Sequence, residues 1–88
     1  MTSGSSEGAK TRVSLAELGD GVAGVVVQIA GGRGAASRLD AMGVRPGVHI
    51  TKMNGLGAKG PVTMRIGHSR IAVGYGMASK VIVEIQGE

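Results

Sequence analysis

The chain has 88 residues, which is enough for one small domain. It contains no Cys, Trp or Phe, so disulfide scaffolds, zinc fingers, iron–sulfur sites and thiol nucleophiles are excluded. The formal net charge is +4, and eight of the ten basic residues lie between Gly31 and Lys80, where Asp40 is the only acid, so the middle of the chain is suited to an anionic partner.

The N-terminal residues 1–11 are rich in Ser and Gly and lack the apolar segment of a secretory signal. We therefore predict a disordered tail over 1–11 and a folded domain over 12–86, in the cytoplasm and without membrane insertion. Ser14 and Glu17 have the spacing of a capping box, which predicts a single turn that Gly19 closes with a positive φ.

Val22 to Ala30 is the clearest predicted strand. Val25, Val27 and Ile29 alternate towards one face, and Gly24 indicates a bulge or a sharp bend. Across the whole chain, Val and Ile total 17 against four Leu. This ratio favours strands, because β-branched side chains fit a pleated sheet and lose rotamer freedom in a helix.

One helix is predicted over Ala35 to Met42, after the break Gly31–Gly34. Its apolar stripe comprises Ala35, Leu39 and Met42. The helix is predicted to end at a left-handed glycine and to continue through a type II turn into the next strand. The residues that define this helix-to-strand corner are Leu39, Met42, Gly43, Pro46 and Gly47.

In the second half of the chain, apolar and polar residues alternate as they do in the first predicted strand. We predict four further strands around Val48–Met53, Val62–Ile66, Arg70–Val73 and Val81–Ile85, with a glycine-rich connection over Asn54–Gly60 and a 3₁₀ turn within Gly74–Ser79. Five short strands with a helix between the first two describe a mainly β fold, a small five-stranded SH3-like barrel. The OB-fold is the nearest alternative, but its helix usually lies between strands three and four.

The sequence contains few candidate catalytic or metal-binding residues. None of the seven serines lies in a G-x-S-x-G elbow and no two aspartates are close in sequence, so we predict that the chain is not an enzyme and has no cofactor. His49 and His68 are the only imidazoles, and they are weak candidates for surface binding of Fe²⁺, Mn²⁺ or Zn²⁺. The glycines before the helix lack the spacing of a P-loop or a dinucleotide fingerprint.

The ordered set of motifs resembles the FeoA family of ferrous iron transport. The set comprises Leu18-Gly19, Arg38-Leu39, the corner Met42-Gly43-Val44-x-Pro46-Gly47, Gly60-Pro61-Val62, and the strands Ile71-Ala72-Val73 and Val81-Ile82-Val83. Two segments depart from the family pattern: the short turn Gly74–Met77 and the glycine-rich connection Asn54–Gly60.

The resemblance implies an SH3-like domain that binds or modulates the cytoplasmic GTPase region of a FeoB-type membrane transporter. The group is often associated with transition metals. A partner surface is predicted from exposed residues near the corner and the two loops, and the chain is expected to be a monomer or a weak homo-oligomer. The surface residues are Arg45, Leu56, Lys59, Tyr75 and Met77.

Two alternatives remain open from the sequence. The basic middle segment suggests a nucleic-acid-binding barrel, although the dispersed charges and missing aromatic rings argue against it. The second alternative is a stand-alone metal-sensing module, like the C-terminal domain of repressors of the diphtheria-toxin-repressor type.

Overall fold

The computed structural model describes residues 10–55 and 60–86, which form one antiparallel sheet and two short helices. Residues 1–9 of the tail predicted over 1–11, and the two loop residues Leu56 and Lys59, lie outside the described residues. Lys10 and Thr11, which were also assigned to the tail, belong to a strand instead. The elements in chain order are β1 (Lys10–Ser14), β2 (Ala23–Ile29), α1 (Gly32–Ala41), β3 (His49–Gly55), β4 (Val62–Ile66), β5 (Ser69–Val73), α2 (Tyr75–Ala78) and β6 (Val81–Gln86).

The sheet has six strands in the order β1-β6-β2-β3-β4-β5, where five strands were predicted. The additional strand is β1, which pairs with β6 along its whole length, from Lys10 opposite Gln86 to Ser14 opposite Ile82. Its sequence Lys-Thr-Arg-Val-Ser has one large apolar residue and therefore no alternating signal. Within the described residues the sheet is not closed, and β1 and β5 are its two edges.

The core lies on one face of this sheet and beneath α1. Val26 of β2 is fully buried, whereas the predicted face of Val25, Val27 and Ile29 is only half-buried. The register between β2 and β6 shifts between Val26 and Gln28, so a bulge interrupts the simple alternation. The fully buried large side chains are Leu15, Leu18, Leu39, Ile50, Met64, Val26, Val44, Val81 and Val83.

The turn after β1 forms as the capping box predicts. The Glu17 amide donates to Ser14 Oγ at 3.3 Å, and the Leu18 amide donates to the Ser14 carbonyl at 3.0 Å. Gly19 does not have the predicted positive φ, and Gly21 has it instead, at 81°. The turn thus ends two residues later than predicted, where the chain enters β2.

Helix α1 begins at Gly32, three residues earlier than predicted, because Gly31 takes a left-handed conformation (φ 91°) as its N-cap. Its C-terminus is a Schellman motif: the Gly43 amide donates to Asp40 O at 2.9 Å, and the Val44 amide donates to Leu39 O at 2.8 Å. Gly43 has φ 89°, as predicted. The motif buries Val44 against the helix end.

The corner continues into the predicted type II turn. The Val48 amide donates to Arg45 O at 3.1 Å, and Gly47, with φ 96°, occupies the position that requires a glycine. Met42 is 38% exposed, so its predicted place on the apolar stripe is wrong. The reason is that the helix ends at Ala41, and Met42 leaves the buried face as the C-cap.

The segment before β6 is one α-helical turn rather than a 3₁₀ turn. The Ala78 and Ser79 amides donate to the carbonyls four residues earlier, on Gly74 and Tyr75, both at 2.9 Å. Ala78 is buried beneath this turn. Neither α1 nor α2 has the length and apolar character that a membrane-crossing helix needs.

Candidate functional site

Helix α1 lies between two surface grooves, and this arrangement forms a candidate site within residues 10–55 and 60–86. Two sets of residues from the helix and its N-cap, each spaced i, i+3, i+4, i+7, line the two grooves. The first set, Arg33, Ala36, Ser37 and Asp40, faces the corner; the second, Gly31, Gly34, Ala35 and Arg38, faces α2.

The groove between α1 and the corner has a volume of about 330 Å³. Its apolar lining comes from Ile29, Ala36, Val44 and Pro46, while Arg33 and Arg45 provide positive charge. Arg45 Nε donates to Asp40 Oδ1 at 2.6 Å, which fixes one guanidinium at the edge of the groove.

The groove between α1 and α2 has a volume of about 220 Å³ and is more polar. Arg38 and Lys80 line it together with Met77. Lys80 is held beside the start of α1, because its carbonyl accepts the Ala30 amide at 2.7 Å. A Cβ at Gly31 would lie 2.7 Å from Lys80 Cδ, so the glycine lets the lysine chain approach the helix closely.

The surface that includes both grooves, which we call the α1 surface, carries more positive than negative charge. Arg33, Arg38, Arg45 and Lys80 surround α1, and Asp40 is the only acid among the lining residues. Asp40 is engaged by Arg45, and both side chains are more than half exposed. The α1 surface is therefore suited to a ligand that combines carboxylates with apolar side chains.

The structure separates the predicted partner residues. Arg45 lines the groove by the corner and Met77 lines the groove by α2, so these two lie on opposite sides of α1. Tyr75 begins α2 and is 37% exposed. Leu56 and Lys59 fall in the undescribed 56–59 segment.

The two histidines lie at the surface. His49 begins β3, and His68 lies in the turn between β4 and β5; both are exposed. Among the described residues, no group of three or more His, Cys, Asp or Glu side chains is placed to hold a metal ion.

The sequence reasoning missed Arg33, Arg38 and Lys80, and it also missed that Lys52 is buried. Lys52 Nζ donates to Leu18 O at 2.7 Å and to Ala16 O at 3.1 Å, and the residue is 6% exposed. The charged residues of α1 were not recognised as one surface, because Gly32–Gly34 was assigned to a break and not to the helix. Once the helix is extended to Gly32, the spacing of Arg33 with Asp40 and the spacing of Gly31 with Arg38 become visible in the sequence.

A family model and a solved structure indicate the same family. The model of the FeoA domain matches residues 13–85. An iron uptake regulatory protein (FeoA), known from a crystal structure, is 38% identical with a TM-score of 0.75, over 83% of this chain and 95% of that chain. No curated protein matches the chain by sequence.

Two further solved structures share the fold. FeoA of Stenotrophomonas maltophilia complexed with zinc, a prokaryotic SH3 domain protein, is 27% identical (TM-score 0.65; 81% of this chain, 88% of that chain). A manganese-dependent transcriptional repressor is 15% identical (TM-score 0.77; 89% of this chain, 43% of that chain), which is a likeness of fold alone. The predicted SH3-like fold is confirmed, with an open sheet of six strands.

Proposed function

The chain belongs to the FeoA domain family, and on that premise we propose that it is an accessory protein of ferrous iron transport that binds the cytoplasmic region of a FeoB-type membrane GTPase. The observation that carries the proposal is the family match over 13–85, which includes every element except the first three residues of β1 and the last residue of β6. In this proposal ferrous iron is the transporter's cargo and is not held by this chain.

The α1 surface supports the proposal physically. Its two grooves offer apolar walls for side chains of a partner, and four cations attract the partner's carboxylates. The contribution proposed here is contact with the transporter. Binding would act by favouring one conformation of the GTPase region over another.

The test is a titration of the full chain with the purified cytoplasmic domain of the transporter, with and without guanine nucleotide. We expect saturable binding. Arg33→Gln should weaken it about fivefold, because one charged contact at the edge of the groove contributes about 1 kcal/mol. Arg12→Gln is the matched control, since it removes the same charge from the edge strand β1, which lines neither groove, and should change the affinity less than about twofold.

Two results would contradict the proposal at separate levels. An absence of binding at high micromolar concentration in both nucleotide states would refute the partner. Equal weakening by Arg33→Gln and Arg12→Gln would refute the α1 surface and leave only an effect of net charge.

A further inference from the structure

Strand β5 is an edge of the sheet, and its outer backbone groups have no partner among the described residues. It pairs with β4 on one side, and in the described part of the chain no backbone hydrogen bond from a turn or loop reaches it. Ile66 and Ser69 flank the two-residue loop Gly67-His68, in which Gly67 has φ 59°. Because such a flanking pair exchanges both hydrogen bonds, the N–H and C=O groups of Arg70 and Ala72 point away from β4, towards the open edge.

Two like charges meet across this hairpin. Arg65 of β4 lies directly opposite Arg70 of β5, and both residues are exposed. Arg65 and Arg70 form a non-hydrogen-bonded pair, the type in which side chains on neighbouring strands lie closest together. Like charges in this position destabilise a sheet. Over the described residues neither arginine forms an ion pair.

At the opposite edge of the sheet, a positive and a negative side chain face each other. Arg12 of β1 lies opposite Glu84 of β6, and its Nε is 3.2 Å from Glu84 Oε2. No Asp or Glu occurs anywhere between residues 41 and 83, so β3, β4 and β5 supply no carboxylate to Arg65 and Arg70. On the other side of Arg65 its partner is Thr51, which is neutral.

We propose that the β5 edge binds an extended acidic segment of a protein partner, which adds to the sheet as a further strand. The main chain of that segment pairs with the free groups of Arg70 and Ala72. A carboxylate next to Arg70 relieves the repulsion between the two arginines, and alternate residues of the segment carry the acids.

The charges at this edge favour an acidic segment over a second copy of the chain. Two β5 edges that paired with each other would bring further arginines to Arg65 and Arg70 and increase the repulsion. The inference goes beyond the proposed function, because it concerns the β5 edge and not the α1 surface, and it holds for any partner with the required segment.

The test uses the full chain and a short blocked peptide that alternates Glu and Thr. We expect changes in amide chemical shifts that centre on residues 69–73, with slower exchange of the Arg70 and Ala72 amides when the peptide is bound. Arg65→Gln and Arg70→Gln should each weaken binding about threefold or more, and the matched Arg12→Gln control should have less than about a twofold effect.

A peptide of the same sequence in which the backbone nitrogens of the Glu residues are methylated separates strand addition from plain electrostatics, because it has the same charge but its Glu residues cannot donate backbone hydrogen bonds. We expect it to bind far more weakly. Equal binding of the two peptides, equal effects of all three Arg→Gln variants, shifts confined to α1, or concentration-dependent self-pairing through β5 would each overturn the proposal. The peptide result is independent of whether the transporter domain binds.

Discussion

Lys52 shows how one buried cation can join two parts of a small domain. Its side chain reaches from β3 to the turn after β1 and donates to the carbonyls of Ala16 and Leu18. Its backbone also joins these parts, because its carbonyl accepts the Gly21 amide at 2.7 Å and its amide donates to Val22 O at 3.0 Å. Lys52 is thus part of the domain's structure, unlike the exposed arginines around it.

Lys52→Met should reduce the free energy of unfolding by about 2 kcal/mol, because it removes two charge-assisted hydrogen bonds and leaves buried carbonyls without a donor. Chemical denaturation measures the change. Arg33→Met is the control: it makes the same type of change at an exposed position of α1 and should alter stability by less than about 0.5 kcal/mol. Equal effects of the two variants would show that the Lys52 hydrogen bonds do not contribute.

Two neighbouring valines of β2 differ in burial, and this difference distinguishes the observed core from the face that the alternation predicts. Val26 is fully buried in the core cluster, whereas Val27 is half-buried and lies outside it. We therefore expect Val26→Ala to cost about 2 kcal/mol and Val27→Ala less than about 1 kcal/mol in thermal or denaturant unfolding. The reverse order would place the bulge of β2 elsewhere than between Val26 and Gln28.

At the scale of elements, two glycines differ in whether the structure has room for a side chain at their positions. A Cβ at Gly24 of β2 would lie 2.4 Å from Val83 Cγ1 and 2.9 Å from the Glu84 carbonyl oxygen, so the close approach of β2 and β6 depends on this glycine. Gly34 lies within α1, where a Cβ would meet nothing within 4 Å and φ is not positive.

Gly24→Ala should therefore destabilise the fold by about 2–3 kcal/mol, since β2 must move away from the β6 backbone. Gly34→Ala should stabilise it by about 0.5–1 kcal/mol, because alanine favours the helix and restricts the unfolded chain. Unfolding midpoints of the two variants measured side by side provide the test. Destabilisation by Gly34→Ala would contradict the extension of α1 to Gly32.

The corner between α1 and β3 could be predicted well because its geometry is encoded locally. Gly43 and Gly47 both have the positive φ that their positions in a helix end and a type II turn require. These requirements involve only residues three to five positions apart. The start of α1 was predicted three residues too late, because glycines normally break helices. Gly31 and Gly32 have positive φ here, whereas Gly34 lies within the helix.

At the scale of the whole molecule, positive charge is concentrated on the surfaces for which we propose partners. The three arginines around α1 and the arginine pair at β5 are exposed, Lys80 is half-buried, and the acids are concentrated near the two ends of the sequence. Exposed charges attract an acidic partner over distances comparable to the Debye length, which is about 10 Å at 0.1 M salt.

We therefore expect the affinity for the transporter's cytoplasmic domain to fall about tenfold between low salt and about 0.5 M salt, mainly through the association rate. Calorimetry or kinetic binding at several salt concentrations measures the effect. A flat salt dependence with intact binding would show that the apolar walls of the grooves, and not the cations, provide the affinity.

The sequence by itself determined the mainly β class, the helix-to-strand corner and the family resemblance. These follow from local backbone requirements and from alternation along single strands, which depend on near neighbours in the chain. Only the tertiary structure decided that β1 joins β6, that Lys52 is buried, that Arg45 and Met77 lie on opposite sides of α1, and that Arg65 faces Arg70. Each of these depends on strand order and register, which bring together residues that are distant in the sequence.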